Sequence, residues 1–461
     1  MTLTNNNSRL PEGPLLAFYG DDFTGSTDVM EAFTAAGIPT VLFLTPPTPK
    51  DLLKFENMRC IGLAGQSRSQ DPEWMEQTFP KLFRDLAAIG APILQYKVCS
   101  TFDSSPTIGS IGKAIDIGTQ LTDCNWSPMI IGAPRLKRYQ SFGQLFADAG
   151  GVTYRLDRHP TMSRHPVTPM DEADLRIHLA KQTLRRLELI DVIAIKNDQA
   201  QSQLHDLSGA DQPIVMIDVI DTETQVQAGR LVWENRGKQV FTASSSGLQY
   251  ALAAYWKQQG WLDAAPVFTK AKSVDCIAAV SGSCSPMSAQ QIEWARTQGF
   301  LCIRLNVPRV LKPASHETEI LDLSNQAIHA LQNGLSPIVY SALGPDDSEV
   351  LNFDRYANAA NLSRAQAAFQ IGQVLAEIMR RILDGSKVKR IVVAGGDSSG
   401  AVGSHLGIKA LTVAANLAPG VPLCRAWSDN ASRDGLEIAL KGGQLGGIEF
   451  YGLVRTGLTD G

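Results

Sequence analysis

The stretch Leu15-Leu16-Ala17-Phe18-Tyr19-Gly20-Asp21-Asp22-Phe23-Thr24-Gly25-Ser26-Thr27-Asp28 decides how this chain is read. An apolar run feeds directly into adjacent carboxylates, a hydroxyl and a glycine, and a helical pattern follows, with a third acid at Asp28. That is a strand whose C-terminal end carries polar chemistry, the place where open α/β sheets build their sites.

Outward from this stretch, short apolar runs alternate with longer amphipathic segments, the signature of βα units and parallel sheet. Strands are expected near 15–20, 39–44, 59–64, 93–98, 128–132, 191–196 and 213–217. Helical patterns cover 26–36, a segment opened by Asp71-Pro72, and a run from Thr168-Pro169 to about Leu189. Residues 150–169, rich in Arg, His, Thr and Pro, read as a long connection, either a lid or a surface excursion. After Gly260 the pattern lapses, and a new strand starts at Val274. Further strands are expected near 301–305, 337–341, 388–394 and 421–427, with helices at 316–333 and 362–384. The expected organisation is α/β, two domains each with a mainly parallel sheet flanked by helices: a leader over 1–13, a first domain over 14–260, a linker over 261–273 and a second domain over 274–461.

At 461 residues the chain is too long for one ordinary core, which agrees with more than one domain. A formal net charge of −4 gives no general reason to bind nucleic acid or an anionic membrane. No apolar run approaches the roughly 20 residues of a membrane span, and the polar start lacks a signal-peptide pattern, so a cytoplasmic location is expected. Seven scattered cysteines without a CxxC pair, and seven histidines without HxxxH or HExxH spacing, argue for reduced thiols and against a protein-held metal.

Polar groups recur at the ends of successive first-half strands: Asp21, Asp22 and Thr24; Gln66, Ser67 and Arg68; then Lys97, Ser100, Thr101 and Asp103. Converging on one crevice, they would recognise a small polar molecule, with Arg68 and Lys97 facing a carboxylate and one Asp taking a hydroxyl proton. One of Asp21 and Asp22 is expected to cap a helix, and spacing does not say which. The hydroxyl-rich stretch from Ser100 to Gly112 either binds a polyol or acid, or caps the helix it opens.

The second half carries three Gly/Ser clusters: Ser281-Gly282-Ser283-Cys284-Ser285-Pro286, Ala394-Gly395-Gly396-Asp397-Ser398-Ser399-Gly400 and Lys441-Gly442-Gly443-Gln444-Leu445-Gly446-Gly447. Strand-to-helix turns of small residues let backbone N–H groups approach an anion, and Asp397 could hold a magnesium-bound water or a ribose hydroxyl. None matches GxxxxGK[ST] or GxGxxG, so a nucleotide site without a P-loop is the better fit.

The DDFTG element, together with GGDSSG and the two other Gly/Ser clusters, resembles the four-carbon acid sugar kinase family over nearly the whole length. The resemblance implies an acid-sugar-binding N-terminal domain, an ATP-binding C-terminal domain, and transfer of the γ-phosphoryl group, with magnesium on the nucleotide, in a cleft between the two. By position it sets Asp21 and Asp22 against the reacting hydroxyl. Thr24, Ser67, Arg68, Lys97, Ser100, Thr101 and Asp103 fall to the substrate. Ser281, Gly282, Ser283, Gly395, Gly396, Asp397, Ser398, Gly442 and Gly443 fall to the nucleotide. A homodimer is expected.

Where many members read close to D-S-T-L-R-G, this chain has Cys99-Ser100-Thr101-Phe102-Asp103-Ser104. Moving the acid and losing the guanidinium changes how substrate is gripped. The variant resembles the 3-oxo-isoapionate kinase-like branch, which acts on a branched 3-oxo acid sugar. Two other readings remain open: a non-catalytic sensor of nucleotide and sugar acid, and an aspartyl-phosphate phosphatase. The second lacks the acid two residues after the first that such chemistry wants, since Phe23 and Thr24 stand there.

Overall fold

Strand β1 (Leu16–Gly20) is buried at every position, as a strand covered on both faces must be. The computed structural model describes residues 10–165, 167–262, 271–418 and 420–457, and the backbone but not the side chain of Asp397. Residues 1–9 of the expected leader, 263–270 of the expected linker, and Pro166 within 150–169 lie outside the described residues.

The chain forms two compact units, one of residues 1–41 and 48–266, the other of 42–47 and 267–461. The strands of the first part of the chain are β1, β2 (Thr40–Phe43), β3 (Cys60–Ala64), β4 (Ile93–Lys97), β5 (Ser127–Met129), β6 (Arg138–Ser141), β7 (Gln144–Ala149), β8 (Val152–Arg155), β9 (Leu187–Ile190), β10 (Ile214–Ile217) and β11 (Val240–Ser244). In the first unit β11, β4, β1 and β3 lie side by side in that order, all parallel. Gly20 pairs with Ala64 and with Lys97, and Lys97 pairs with Ser244, so four strands end in one row. Beneath that row Tyr19 and Tyr96 stack with centroids 6.2 Å apart, and Phe79 and Phe83 stack at 4.6 Å. A parallel sheet β5–β10–β9 and an antiparallel sheet β6–β7–β8 complete the unit's strands.

The second unit orders β16 (Ala410–Ala418), β17 (Val421–Trp427), β18 (Glu437–Lys441), β15 (Arg390–Ala394), β12 (Ala278–Ser281), β14 (Pro337–Tyr340) and β13 (Leu301–Arg304). It is parallel from β18 to β13 and antiparallel across β16, β17 and β18. The helices Pro313–Gln332 and Arg364–Gly385 fall where their periodicity put them, the second opened by a Ser363–Gln366 capping box. Residues 42–47 group with this unit, and Leu44 N–H donates to the Lys409 carbonyl at 2.8 Å. Among the described residues no helix is long and apolar enough to cross a membrane.

Several expected elements differ. Residues 191–196 are not a strand: the strand is Leu187–Ile190, and Val192–Lys196 is a helix because the Asp191 side chain accepts from Ala194 N–H and caps it. The helix expected from 169 to 189 is a single turn, Leu175–Leu179, capped by Asp174. The strand expected from Val274 begins only at Ala278. Part of the 150–169 connection is β8, paired antiparallel with β7.

The helices Thr222–Glu234 and Gly247–Gln258 meet at Gly229, where a Cβ would lie 2.0 Å from the Ala251 carbonyl oxygen. Backbone cannot yield there as a flexible side chain can. Gly229→Ala is expected to cost about 1–3 kcal/mol by forcing the helices apart, read as a lowered urea midpoint.

Candidate active site

The row of strand ends places Asp21 one residue beyond β1, and its N–H donates to the Lys97 carbonyl at 2.9 Å. Asp22 is the capping acid: its Oδ1 accepts from Gly25 N–H at 2.9 Å and opens the helix Phe23–Ala35. Its Oδ2 accepts from the Thr24 hydroxyl at 3.0 Å. Past β3, Arg68 donates from Nε and Nη2 to the two oxygens of Asp21 at 3.1 and 2.9 Å, and from Nη1 to Asp22 Oδ2 at 3.0 Å. Arg68 therefore clamps the acids, and three of its five N–H groups are consumed. It is not the free cation expected for a substrate carboxylate.

These contacts set different ionisation for the two acids. Burial holds the Asp21 carboxyl above the usual range despite Arg68, with Asp22 adding repulsion. Burial acts the same way on Asp22 but is outweighed by Arg68 and Lys97, with Thr24 and Gly25 adding hydrogen bonds, and its carboxyl lies below the usual range. The Asp22 side chain is 21% exposed and that of Asp21 3%, so the more acidic group is also the more accessible one.

Lys97 is buried and, among the described residues, its Nζ makes no hydrogen bond; it lies against Gly25, where a Cβ would sit 3.1 Å away. Asp28 sits beside Lys97, Ser246 and Tyr250, and burial pushes its carboxyl up. Asp28 is within hydrogen-bonding reach of Ser246 and Tyr250, whereas Asp103 Oδ1 is buried without a partner among the described residues. Buried polar atoms are nearly always satisfied, so the unpaired Asp103 oxygen suits a ligand that brings a hydroxyl. Asp28 lies in the opening stretch but outside the expected site, because its position in the second turn of the helix Phe23–Ala35 names no target until the segment after β11 brings Ser246 beside it. Ser246 and Tyr250 follow a strand that the sequence pattern did not show.

Of the other expected residues, Ser67 is buried with its hydroxyl 3.0 Å from Tyr96 Oη, beneath the row rather than facing it. The Thr101 hydroxyl lies 2.9 Å from Cys99 Sγ, and burial pushes that thiol up to about 11, so it stays protonated at neutral pH. Asp103 Oδ2 is 3.9 Å from Arg68 Nη1. Ser100 is half-buried. The hydroxyl stretch also caps: Ser110 accepts from Lys113 N–H and opens the helix Ile111–Gly118.

The second unit brings its three Gly/Ser turns together. Gly282 N–H donates to Ala394 O and Gly395 N–H to Lys441 O, both at 2.9 Å. Gly395 has φ +114°, which only glycine adopts readily, and the helix Gly396–His405 starts there without a side-chain cap, leaving its first N–H groups to the turn. A Cβ on Gly282 would lie 2.2 Å from Ser398 Oγ, and one on Gly443 2.5 Å from Ser283 Oγ. Ser281 is buried below these turns. Among the described residues no group of three or more His, Cys, Asp or Glu is placed to hold a metal. A cavity of about 650 Å³ lined by Val274, Leu331 and Lys389 lies near the start of β15, at the opposite end of the strand from the turns.

A family model described as a sugar-binding N-terminal domain matches residues 16–252, and one described as a nucleotide-binding C-terminal domain matches 278–451. A 3-oxo-isoapionate kinase of Paraburkholderia graminis is 59% identical over 456 residues, covering 99% of this chain and 97% of its own. A 3-oxo-tetronate kinase of Methylobacterium radiotolerans is 27% identical over 95% of this chain and 97% of its own. Among solved structures, a Haemophilus influenzae protein superposes with TM-score 0.70 at 22% identity over 95% of this chain and 99% of its own, a likeness of fold alone.

Replacing Arg68 by Met leaves two buried carboxylates without their cation. Arg68→Met is expected to lose about 3 kcal/mol near neutral pH. Because the arginine favours the ionised acids, the deficit shrinks as pH falls and they protonate; urea unfolding of both proteins between pH 4 and 8 checks the sign.

Proposed function

The chain belongs to the four-carbon acid sugar kinase family, and we propose that it transfers the γ-phosphoryl group of ATP to a hydroxyl of a branched 3-oxo acid sugar. It is a sugar-acid kinase. The observation that carries the substrate reading is the 59% identity, over nearly the full length of both chains, to an enzyme named for 3-oxo-isoapionate. The geometry supports it, since the unpaired Asp103 oxygen and the buried Lys97, whose Nζ makes no hydrogen bond among the described residues, suit a hydroxylated anion.

In the proposed reaction the substrate carboxylate or 3-oxo group lies against Lys97, and a hydroxyl meets the unpaired Asp103 oxygen. Asp22 accepts the proton of the attacking hydroxyl. It is held ionised at neutral pH, as an acceptor must be, and it is the more exposed of the pair. A weak base suffices, because phosphoryl transfer is largely dissociative and the proton leaves late. Asp21 holds Arg68, and Arg68 keeps Asp22 in place. Thr24 fixes the Asp22 rotamer.

The donor nucleotide is assigned to the second unit, its phosphates against the backbone of Ser281, Gly282, Ser283, Gly395, Gly396, Ser398, Gly442 and Gly443. Magnesium would sit on the nucleotide phosphates, where it would neutralise charge, and Asp397 is proposed as an acid for its water shell.

Asp22→Asn is expected to lower kcat about 100-fold or more with KM for ATP nearly unchanged, since a lost proton acceptor acts on the chemical step. Full turnover in that variant would remove Asp22 from the role. A coupled ADP-release screen over four- and five-carbon aldonic, 3-oxo and branched 3-oxo acids is expected to give its highest kcat/KM with a branched 3-oxo acid. A preference for an unbranched tetronate would overturn the substrate assignment.

A further inference from the structure

Lys441 stands at the end of β18, fully buried, in the second unit. Its Nζ donates to Gly442 O at 3.1 Å, Gly443 O at 3.2 Å and Ser288 Oγ at 3.3 Å, which accounts for all three ammonium hydrogens. The Phe450 ring lies 5.8 Å from Nζ. Among the described residues no carboxylate pairs with it: the helix Pro286–Thr297 offers Ser288, the helix Phe450–Thr456 offers Phe450, and β15 offers Ala394 at its register position. A buried cation without a counter-ion is costly, and a purely structural role would be met more cheaply by an apolar side chain.

The backbone shows what the cation does. In a trans peptide the N–H of one residue points opposite to the carbonyl of the residue before it. Drawing the Gly442 and Gly443 carbonyls onto one ammonium therefore turns the N–H groups of Gly443 and Gln444 to the other side. Neither N–H has an acceptor among the described residues. Ser285 Oγ and Ser288 Oγ also donate to Gly443 O, at 2.5 and 3.1 Å, and fix the same orientation. No side chain fits at Gly443, whose Cβ would strike Ser283.

We propose that Lys441 is a positioning residue for the donor phosphates: it gathers the carbonyls of the Gly442–Gly443 turn so that the N–H groups of Gly443 and Gln444 face an anion, and adds one positive charge behind them. The inference rests on the assignment of this unit's turns to the nucleotide. Desolvation alone pulls the Lys441 amine down to about 8, so the free protein holds it near half-protonated in mildly alkaline solution. An anion beside it favours the protonated form, and nucleotide binding there must draw a proton from the buffer.

The test uses the full chain and ADP as probe. Isothermal titration at pH 8 in two buffers of different ionisation enthalpy is expected to show uptake of up to about half a proton per ADP bound by the wild type, and none with adenosine. Lys441→Met is expected to weaken ADP at least 10-fold, abolish the uptake, and leave adenosine and sugar-acid affinity within 2-fold, in keeping with one lost charge-assisted anchor. If the variant does not fold, the wild-type proton uptake decides alone. ADP bound equally well by wild type and variant, or bound by the wild type without proton uptake, overturns the role of Lys441. A wild type that binds no ADP overturns the nucleotide assignment itself.

Discussion

The clamp of Arg68 on Asp21 and Asp22 is the constraint on which the first unit's chemistry depends. Two adjacent carboxylates at the end of a buried strand repel each other and lose hydration, so neither would stay there as a usable ion without a cation at fixed distance. The guanidinium arrives only because β3 lies beside β1 in a register that ends Ala64 level with Gly20. The same row supplies Lys97 from β4, and with Arg68 occupied, Lys97 is the cation that the proposed reaction sets against the substrate. Division of labour within the site thus follows from strand register, not from the identity of the charges alone.

The second unit solves a different problem with different means. An anion site made of backbone needs carbonyls turned away and side chains kept out. Gly282, Gly395 and Gly443 meet the second requirement by close approach, while the buried ammonium of Lys441 meets the first. The serines at 283, 285 and 288 tie these turns into one hydrogen-bonded group. On the proposed assignment, specificity for a phosphate would lie in peptide orientation.

What could be read from the sequence was local. The run Leu15–Gly20 ending in acids marked a strand, and the first two Gly/Ser clusters, each after an apolar run, marked strand-to-helix turns. Elements were missed where a local signal was overridden. Leu187 to Ile195 is one apolar stretch interrupted at Asp191, and only the observed cap shows that strand stops and helix starts there. Residues 410–418 pair antiparallel with β17, and 437–441 pair antiparallel with β17 on one side and parallel with β15 on the other, outside the βα rhythm that organised the rest. Asp28 needed β11 to acquire neighbours. Arg68 is expected from the sequence as a substrate contact, and spacing cannot show that three of its N–H groups go to Asp21 and Asp22.

Residues 42–47 add a consequence for how the polypeptide is made. They leave the first unit's stretch of chain, group with the second, and hand the chain back at residue 48. During synthesis Leu44 emerges long before the carbonyl of Lys409 that it pairs with. At about 5–20 residues per second the wait is on the order of tens of seconds. Over that interval a short apolar segment of the nascent protein lacks its eventual partner, and a single cut near residue 266 would not divide the molecule into two self-sufficient pieces. The second unit thus includes a segment made before most of the first, and it is complete only once both halves of the chain have been translated.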